Sequence, residues 1–475
     1  MATEQAAPAT PTRSRAGVIT LLVALAVAAL AGLVSGLGEL KTAAIIVLGL
    51  TLGAAAAAVA RRSFAWFISA ALVLRPVADL TAGDGVGIPE VMGVGVLVIC
   101  TGWLVIHRAE LAPRLREPLT LPVLGLVAVA CLSTLSSPLP MESLPTATGI
   151  AAGAVVYLVL VVLLTTGRMS VVHLIGTLAT SAVVPVLFPL MGLLGVTVSH
   201  EKDGIAALKS VFFLSNNFGH FLVPFILVAF SMATKARGRA RLALYVVALA
   251  LTVELIETET RGAWIAALVG VLVVGAVLDR RLLVGALVAP LLLVAAVPSV
   301  TERVTSTLPD PADTRTESSL TWRFEHWVDV LPMVEESPVT GVGLDETQRR
   351  TGKQPHNDFL LVLVEMGVVG ILVYLWFLGA AIRTGFRATR RVIDPRLPVE
   401  PVVQGVTVAL FGYAIAFPVA SLGENLLENV TTLWVVLPAL AAVSWVAHAQ
   451  RLALTRARRT PGALRARLSQ RLVSS

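Results

Sequence analysis

The chain has 475 residues, 56% of them hydrophobic and only 14% charged, with a mean hydropathy of +0.83 and a formal net charge of +7. A soluble domain carries about 25% charged residues, so this composition excludes an ordinary soluble enzyme. The basic residues are scattered through short loops, which excludes nucleic acid as a partner and points to membrane topology instead.

In chain order, residues 1–16 are rich in Ala, Pro and Thr and read as a disordered N-terminus. Apolar runs follow, each long enough to cross a hydrocarbon core of about 30 Å as a helix. They are continuous and rich in Ala, Leu and Val, without the period-2 alternation of a membrane barrel. The expected fold is therefore an all-α polytopic membrane protein. About fourteen spans are predicted (range twelve to fourteen), at 17–36, 42–60, 63–80, 88–106, 118–135, 147–166, 171–196, 211–233, 242–258, 262–278, 282–298, 357–380, 403–421 and 430–448. The first lacks a convincing cleavage site and reads as a retained helix rather than a signal peptide. The third is the weakest, because it contains Arg75-Pro76. Eleven spans fill 17–298, a long polar interruption occupies 299–355, three more spans fill 356–450, and a basic tail ends the chain at 451–475. That tail is expected to be an amphipathic helix on anionic lipid.

Counting alternate sides, 26 of the 37 basic residues fall on one side, including Arg61/Arg62, Lys235 to Arg241, Arg383 to Arg396 and the tail. By the positive-inside rule this side is cytoplasmic, which puts both termini inside and the 299–355 segment outside. Cys100 and Cys131 both lie in predicted spans, which excludes a disulfide framework and a cysteine metal site. No phosphate-binding loop, dinucleotide fingerprint or metal-type His spacing occurs, so no cofactor is expected.

Ionisable residues near spans need a partner or a task. The ninth span ends Glu254-Leu-Ile-Glu257-Thr-Glu259-Thr260-Arg261-Gly262. On one helix Glu257 and Arg261 would form an ion pair; alternatively Arg261 faces an anionic substrate beside a tight turn. In the outer segment Leu320, Phe324, Trp327, Leu331 and Val334 form a helical stripe expected to lie against the membrane domain. Arg323 and His326 flank it, and Arg323 reads either as a snorkelling side chain or as a ligand. Pro338 to Gly343 then turns the chain towards His356, which follows Pro355 at the mouth of the next span. His356 suits a general base, or else belongs to an Asn/His/Asp helix cap. Glu365 lies on the opposite helical face from His356 and reads as packing support near Gly367 and Gly370.

In combination, Thr260-Arg261-Gly262-Ala263-Trp264, Arg323 with Trp327, Pro338 to Gly343, and His356-Asn357-Asp358-Phe359-Leu360 with Glu365 and Gly367 resemble the O-antigen ligase family and its related polysaccharide polymerases. The resemblance covers about 242–379. It implies a GT-C-like membrane glycosyltransferase that needs no metal or other cofactor. Such an enzyme moves a glycan from undecaprenyl diphosphate to a hydroxyl of a lipid, glycan or protein acceptor at the outer face of the cytoplasmic membrane. Carried over by motif, Arg261 and Arg323 would neutralise the diphosphate and His356 would activate the acceptor. Asn357 and Asn217 would bind substrate, Asn217 standing in Ser215-Asn216-Asn217 where the family often has Asn-Pro-Asn. Thr260 in place of the family's frequent Ser, and the carboxylates Glu254, Glu257 and Glu259, depart from the pattern. A polymerase that extends the lipid-linked glycan is the nearest alternative. A transporter or flippase fits less well, since no repeat or midplane charge is visible.

Overall fold

The computed structural model describes residues 63–81, 88–202, 205–296, 300–301, 319–395 and 399–459. The predicted spans at 17–36 and 42–60, the N-terminus 1–16 and the tail beyond 459 lie outside the described residues. Of the first compact unit, Met1–Ile68, only the start of helix α1 is described; everything else belongs to the second, Ser69–Ser475.

The long helices are α1 (Phe64–Ala78), α2 (Ile88–Ile106), α3 (Thr120–Ser136), α4 (Pro140–Thr165), α5 (Val171–Ser181), α6 (Ser215–Lys235), α7 (Gly238–Glu257), α8 (Arg261–Leu278), α9 (Arg280–Ala296), α10 (Ser319–Val330), α11 (Asp358–Val392), α12 (Pro401–Ala420) and α13 (Val430–Arg459). All twelve predicted spans within the described residues coincide with helices. Only nine of these stretches are long and apolar enough to cross a membrane, or ten if the 101° bent pair Arg108–Arg116 and Thr120–Ser136 is one span. Among the described residues the expected twelve spans are thus corrected to nine or ten. Helix α7 carries Arg239, Arg241, Glu254 and Glu257, and α9 has 17 residues, so neither qualifies alone. Nor are the described residues wholly helical: β1 (Ser199–Lys202) pairs antiparallel with β2 (Ile205–Leu208), Ser199 opposite Leu208.

Arg75, the charge that weakened the third predicted span, is buried and paired with Asp79, whose Oδ2 accepts from Thr431 at 2.6 Å. Helices α4 and α13 pack face to face and are buried over most of their length. Helix α8 packs against α12 and α6, with Gly412 of α12 laid against the Gly270 carbonyl of α8. Small residues allow this approach where no hydrophobic driving force joins helices within lipid.

The segment around helix α10 meets the sequence expectation only in part: of the predicted stripe, Val334 packs against the buried cluster and Trp327 is half-buried. Its Phe324 and Leu331 are exposed, together with Val328 at 67%, whereas His326 is buried and Val330 packs with Met333. An apolar stripe does not specify water as what it avoids. In a membrane protein it can face the bilayer while polar groups face the site.

Helix α11 is broken at Gly367, which has φ 66° and ψ −166°. The Pro338–Gly343 segment lies across the break. Val342 and Gly343 N–H donate to the carbonyls of Val364 and Glu365, while Val368 and Val369 N–H donate to those of Pro338 and Val339. Backbone groups released from the helix ladder are thus paired without water. Glu365 is buried, and its carboxylate accepts from Asp345 N–H at 2.9 Å and Thr347 N–H at 3.0 Å. It anchors the Glu346–Thr351 turn and supports the fold, as its position opposite His356 suggested. A Cβ on Gly341 would overlap the Glu365 and Met366 backbone, and Gly341 also has φ +77°. Gly341→Ala is therefore expected to cost about 1–3 kcal/mol from backbone conformation alone, with the overlap adding to it. A melting curve in lipid-like micelles matching wild type would contradict this account.

Candidate active site

Polar residues from three segments, Asn216 of α6, Arg323 of α10 and His356 before α11, meet around Glu424, in the turn between α12 and α13. Its Oε2 lies 3.2 Å from His356 Nδ1. Its Oε1 accepts from Asn216 Nδ2 at 2.5 Å and lies 3.8 Å from a guanidinium nitrogen of Arg323. Arg323 also donates to the Gly423 carbonyl at 2.9 Å. A Cβ on Gly262 would lie 3.8 Å from the His220 ring and 3.9 Å from Glu424 Cγ, so the first turn of α8 backs onto the same carboxylate.

His356 is held in place from both sides. Trp327 Nε1 donates to the Pro355 carbonyl at 2.7 Å, and His326 Nε2 is 3.1 Å from the Lys353 carbonyl. On the other side Asn425 Oδ1 accepts from Asn357 N–H at 2.8 Å, while its Nδ2 donates to Gln354. Between these clamps His356 adopts φ 49°, a left-handed conformation that costs a non-glycine residue about 1–2 kcal/mol. Trp322 stands edge-on to its ring at 6.1 Å. The imidazole keeps 35% of its side-chain surface exposed. It is fixed in direction and accessible.

Burial raises the pKa of the Glu424 carboxyl, but the His356 hydrogen bond and the neighbouring cations outweigh it and hold the group below the ordinary carboxylate range. An ionised carboxylate only accepts hydrogen bonds. Nδ1 of His356 therefore carries the proton in this pair, and in the neutral ring Nε2 is left bare.

The residues singled out in the sequence divide as follows. His356 and Arg323 share Glu424, and Arg261 opens α8 immediately before Gly262. Glu257 and Arg261 do not share one helix, because α7 ends at Glu257, Glu259 turns the chain with φ 51°, and α8 starts at Arg261. Asn357 caps α11, its Oδ1 accepting from Phe359 and Leu360 N–H. Asn217 Oδ1 accepts from Asn429, whereas the neighbouring Asn216 reaches Glu424. Sequence reasoning missed Glu424 and Lys202, and from Ser215-Asn216-Asn217 it chose Asn217 rather than Asn216. Lys202 lies in the hairpin and donates to Asn216 Oδ1 at 2.5 Å and to the Glu259 carbonyl at 3.2 Å. For Glu424 a signal was available: it is an ionisable residue in a short loop on the same predicted side as 299–355.

These features define a multi-pass membrane protein with a cluster of cations and a carboxylate where its helices meet the polar connections. Residues 244–375 match the family model described as O-Antigen ligase, and the chain carries an O-antigen ligase domain there. This is the domain of ligase- or polymerase-type membrane enzymes of polysaccharide biosynthesis, which use lipid-linked glycans. Arg261, Arg323 and His356 fall inside the matched region; Lys202, Asn216 and Glu424 fall outside it. A search of curated proteins gives no match.

Proposed function

We propose that the protein is a glycan ligase, transferring a saccharide from a polyprenyl diphosphate, undecaprenyl in the bacterial case, to an acceptor hydroxyl of a lipid, glycan or protein. The observation that carries this reading is His356, oriented through Nδ1 by Glu424 at 3.2 Å beside the guanidinium of Arg323. Nε2 of His356 takes the proton as the acceptor oxygen attacks the anomeric carbon. The bond from that carbon to the diphosphate oxygen breaks, and the carrier leaves with the electron pair. Attack opposite the leaving group inverts the anomeric configuration. Arg261 and Arg323 stabilise the charge that develops on the diphosphate, which guanidinium groups do by bidentate contact without a metal. Asn357 and Asn217 have their side-chain oxygens engaged, so their Nδ2 groups are the ones that would meet substrate.

The reaction is assigned to the outer face of the cytoplasmic membrane, with both termini inside. Arg391 bonding to the Ala447 carbonyl, and Arg168 pairing with Glu110, belong to loops or helix ends on the opposite predicted side from His356. The basic side is the cytoplasmic one.

The test is reconstitution of the full chain in bilayers with a polyprenyl-diphosphate-linked oligosaccharide and a hydroxyl acceptor. The expected products are one new glycosidic bond per acceptor and free polyprenyl diphosphate. Arg261→Ala and Arg323→Ala should each lower the rate by about 10²-fold or more. A ladder of lengthened glycan still on the carrier would identify a polymerase instead. Wild-type rates in both arginine variants would overturn the site.

A further inference from the structure

The β1–β2 hairpin enters neither the matched domain nor the proposed bond-making step, yet it sends a lysine into the cluster. Lys202 Nζ lies 2.5 Å from Asn216 Oδ1, 3.2 Å from the Glu259 carbonyl, 3.4 Å from Thr260 Oγ1 and 3.5 Å from Ser215 Oγ. Every one of these is an acceptor on the protein. Two groups of consequences follow from where they lie.

Glu259 and Thr260 form the left-handed turn that delivers Arg261 to the start of α8. A cation on the Glu259 carbonyl steadies a conformation that L residues otherwise avoid. The second consequence concerns the amide of Asn216. Its Oδ1 faces the ammonium and also accepts from Thr260 Oγ1 at 3.2 Å, so its Nδ2 must face Glu424. A flip would set Oδ1 against the Glu424 carboxylate and the amide hydrogens against a cation, unfavourable at both ends. The charge on Lys202 thereby dictates which end of Asn216 Glu424 meets. Glu424 in turn orients His356.

From this we infer that Lys202 is a positioning residue, which couples the Arg261 turn to the Glu424–His356 pair through the amide of Asn216. The inference rests on the ligase reading for its kinetic consequences, but not for its structural ones. Lys202 and Asn216 are 14 residues apart in sequence and meet through their side chains, so the coupling is testable as non-additivity.

The experiment uses the full chain in bilayers, with Lys202→Met, Asn216→Ala, the double variant, and Asn216→Asp, which still accepts from the lysine but cannot donate to Glu424. Lys202→Met and Asn216→Ala are each expected to lose about 10-fold in transfer. The double variant should be no more than about twofold worse than Asn216→Ala, and Lys202→Arg should recover most of the loss. Additive losses, or full activity in Asn216→Asp, would overturn the inference. A readout independent of transfer is amide hydrogen exchange. In Lys202→Met it should quicken at 258–263 and also at 421–425, which Asn216 links to Lys202 through Glu424, while the buried helices α4 and α13 stay protected. Faster exchange at 258–263 alone would equally overturn it. Failure of the ligase reading would show differently, as full transfer by His356→Ala or none by wild type.

Discussion

His356→Ala is expected to lose transfer by at least about 10²-fold, the lower end of what a positioned general base contributes, while accumulating in the membrane at wild-type levels. Its ring is partly exposed and its one polar side-chain contact is to Glu424, so its removal leaves the packed helices untouched. The backbone supplies a second prediction at the same residue. His356 holds φ 49°, which alanine must also adopt at a cost of about 1–2 kcal/mol. Glycine adopts it without that cost, although it surrenders more entropy on folding. His356→Gly should therefore melt above His356→Ala by a degree or more, with neither variant active. Equal activity in wild type and His356→Ala would remove the base from the mechanism. His326 would not replace it in this geometry, because it is buried with Nε2 directed at the Lys353 carbonyl.

Glu424→Gln separates orientation from charge. The amide can donate as well as accept, so the tautomer of His356 is no longer fixed and kcat should fall by about 10²-fold. Meanwhile a negative charge disappears from 3.8 Å beside Arg323. Donor KM should therefore stay the same or fall, since an anionic diphosphate is no longer opposed. A rise in KM with kcat unchanged would mean that Glu424 binds substrate rather than positions the base. The pH dependence has a definite sign. The folded pKa of Glu424 lies below its ordinary 4.5. Its ion network thus contributes stability above pH 4.5, and that contribution is lost as pH falls through the lower folded value. Wild type should lose melting temperature over that acid range more steeply than Glu424→Gln.

Much of the fold was legible because hydrophobic run length is a strong signal. Twelve predicted spans within the described residues are helices. The count of crossings was less legible, since length and composition make α7 and α9 borderline while packing against neighbours decides their fate. The hairpin carried a local sign in Asp203-Gly204 between its strands, but its four-residue strands are too short to show a period. Of the residues around Glu424, Arg323 and His356 were named through motif order, as was Arg261 at the start of α8. Glu424 lies 68 residues beyond His356, and only folding brings them together. The choice of Asn217 over Asn216 shows the limit most clearly. Adjacent residues on a helix point about 100° apart, so a motif that names a stretch cannot say which of its members faces the cluster.

The outward face of α10 ties the chemistry to its surroundings. Arg323 sits on a twelve-residue helix on which Phe324 and Val328, with Leu331 just beyond its end, are exposed among the described residues. A bilayer against that face would set the height of this helix over Glu424. A detergent micelle offers a softer and more curved support, so a solubilised protein with every helix intact can still hold its second guanidinium out of register. Turnover is therefore expected to respond to headgroup packing and membrane thickness as it would to a substitution in the site.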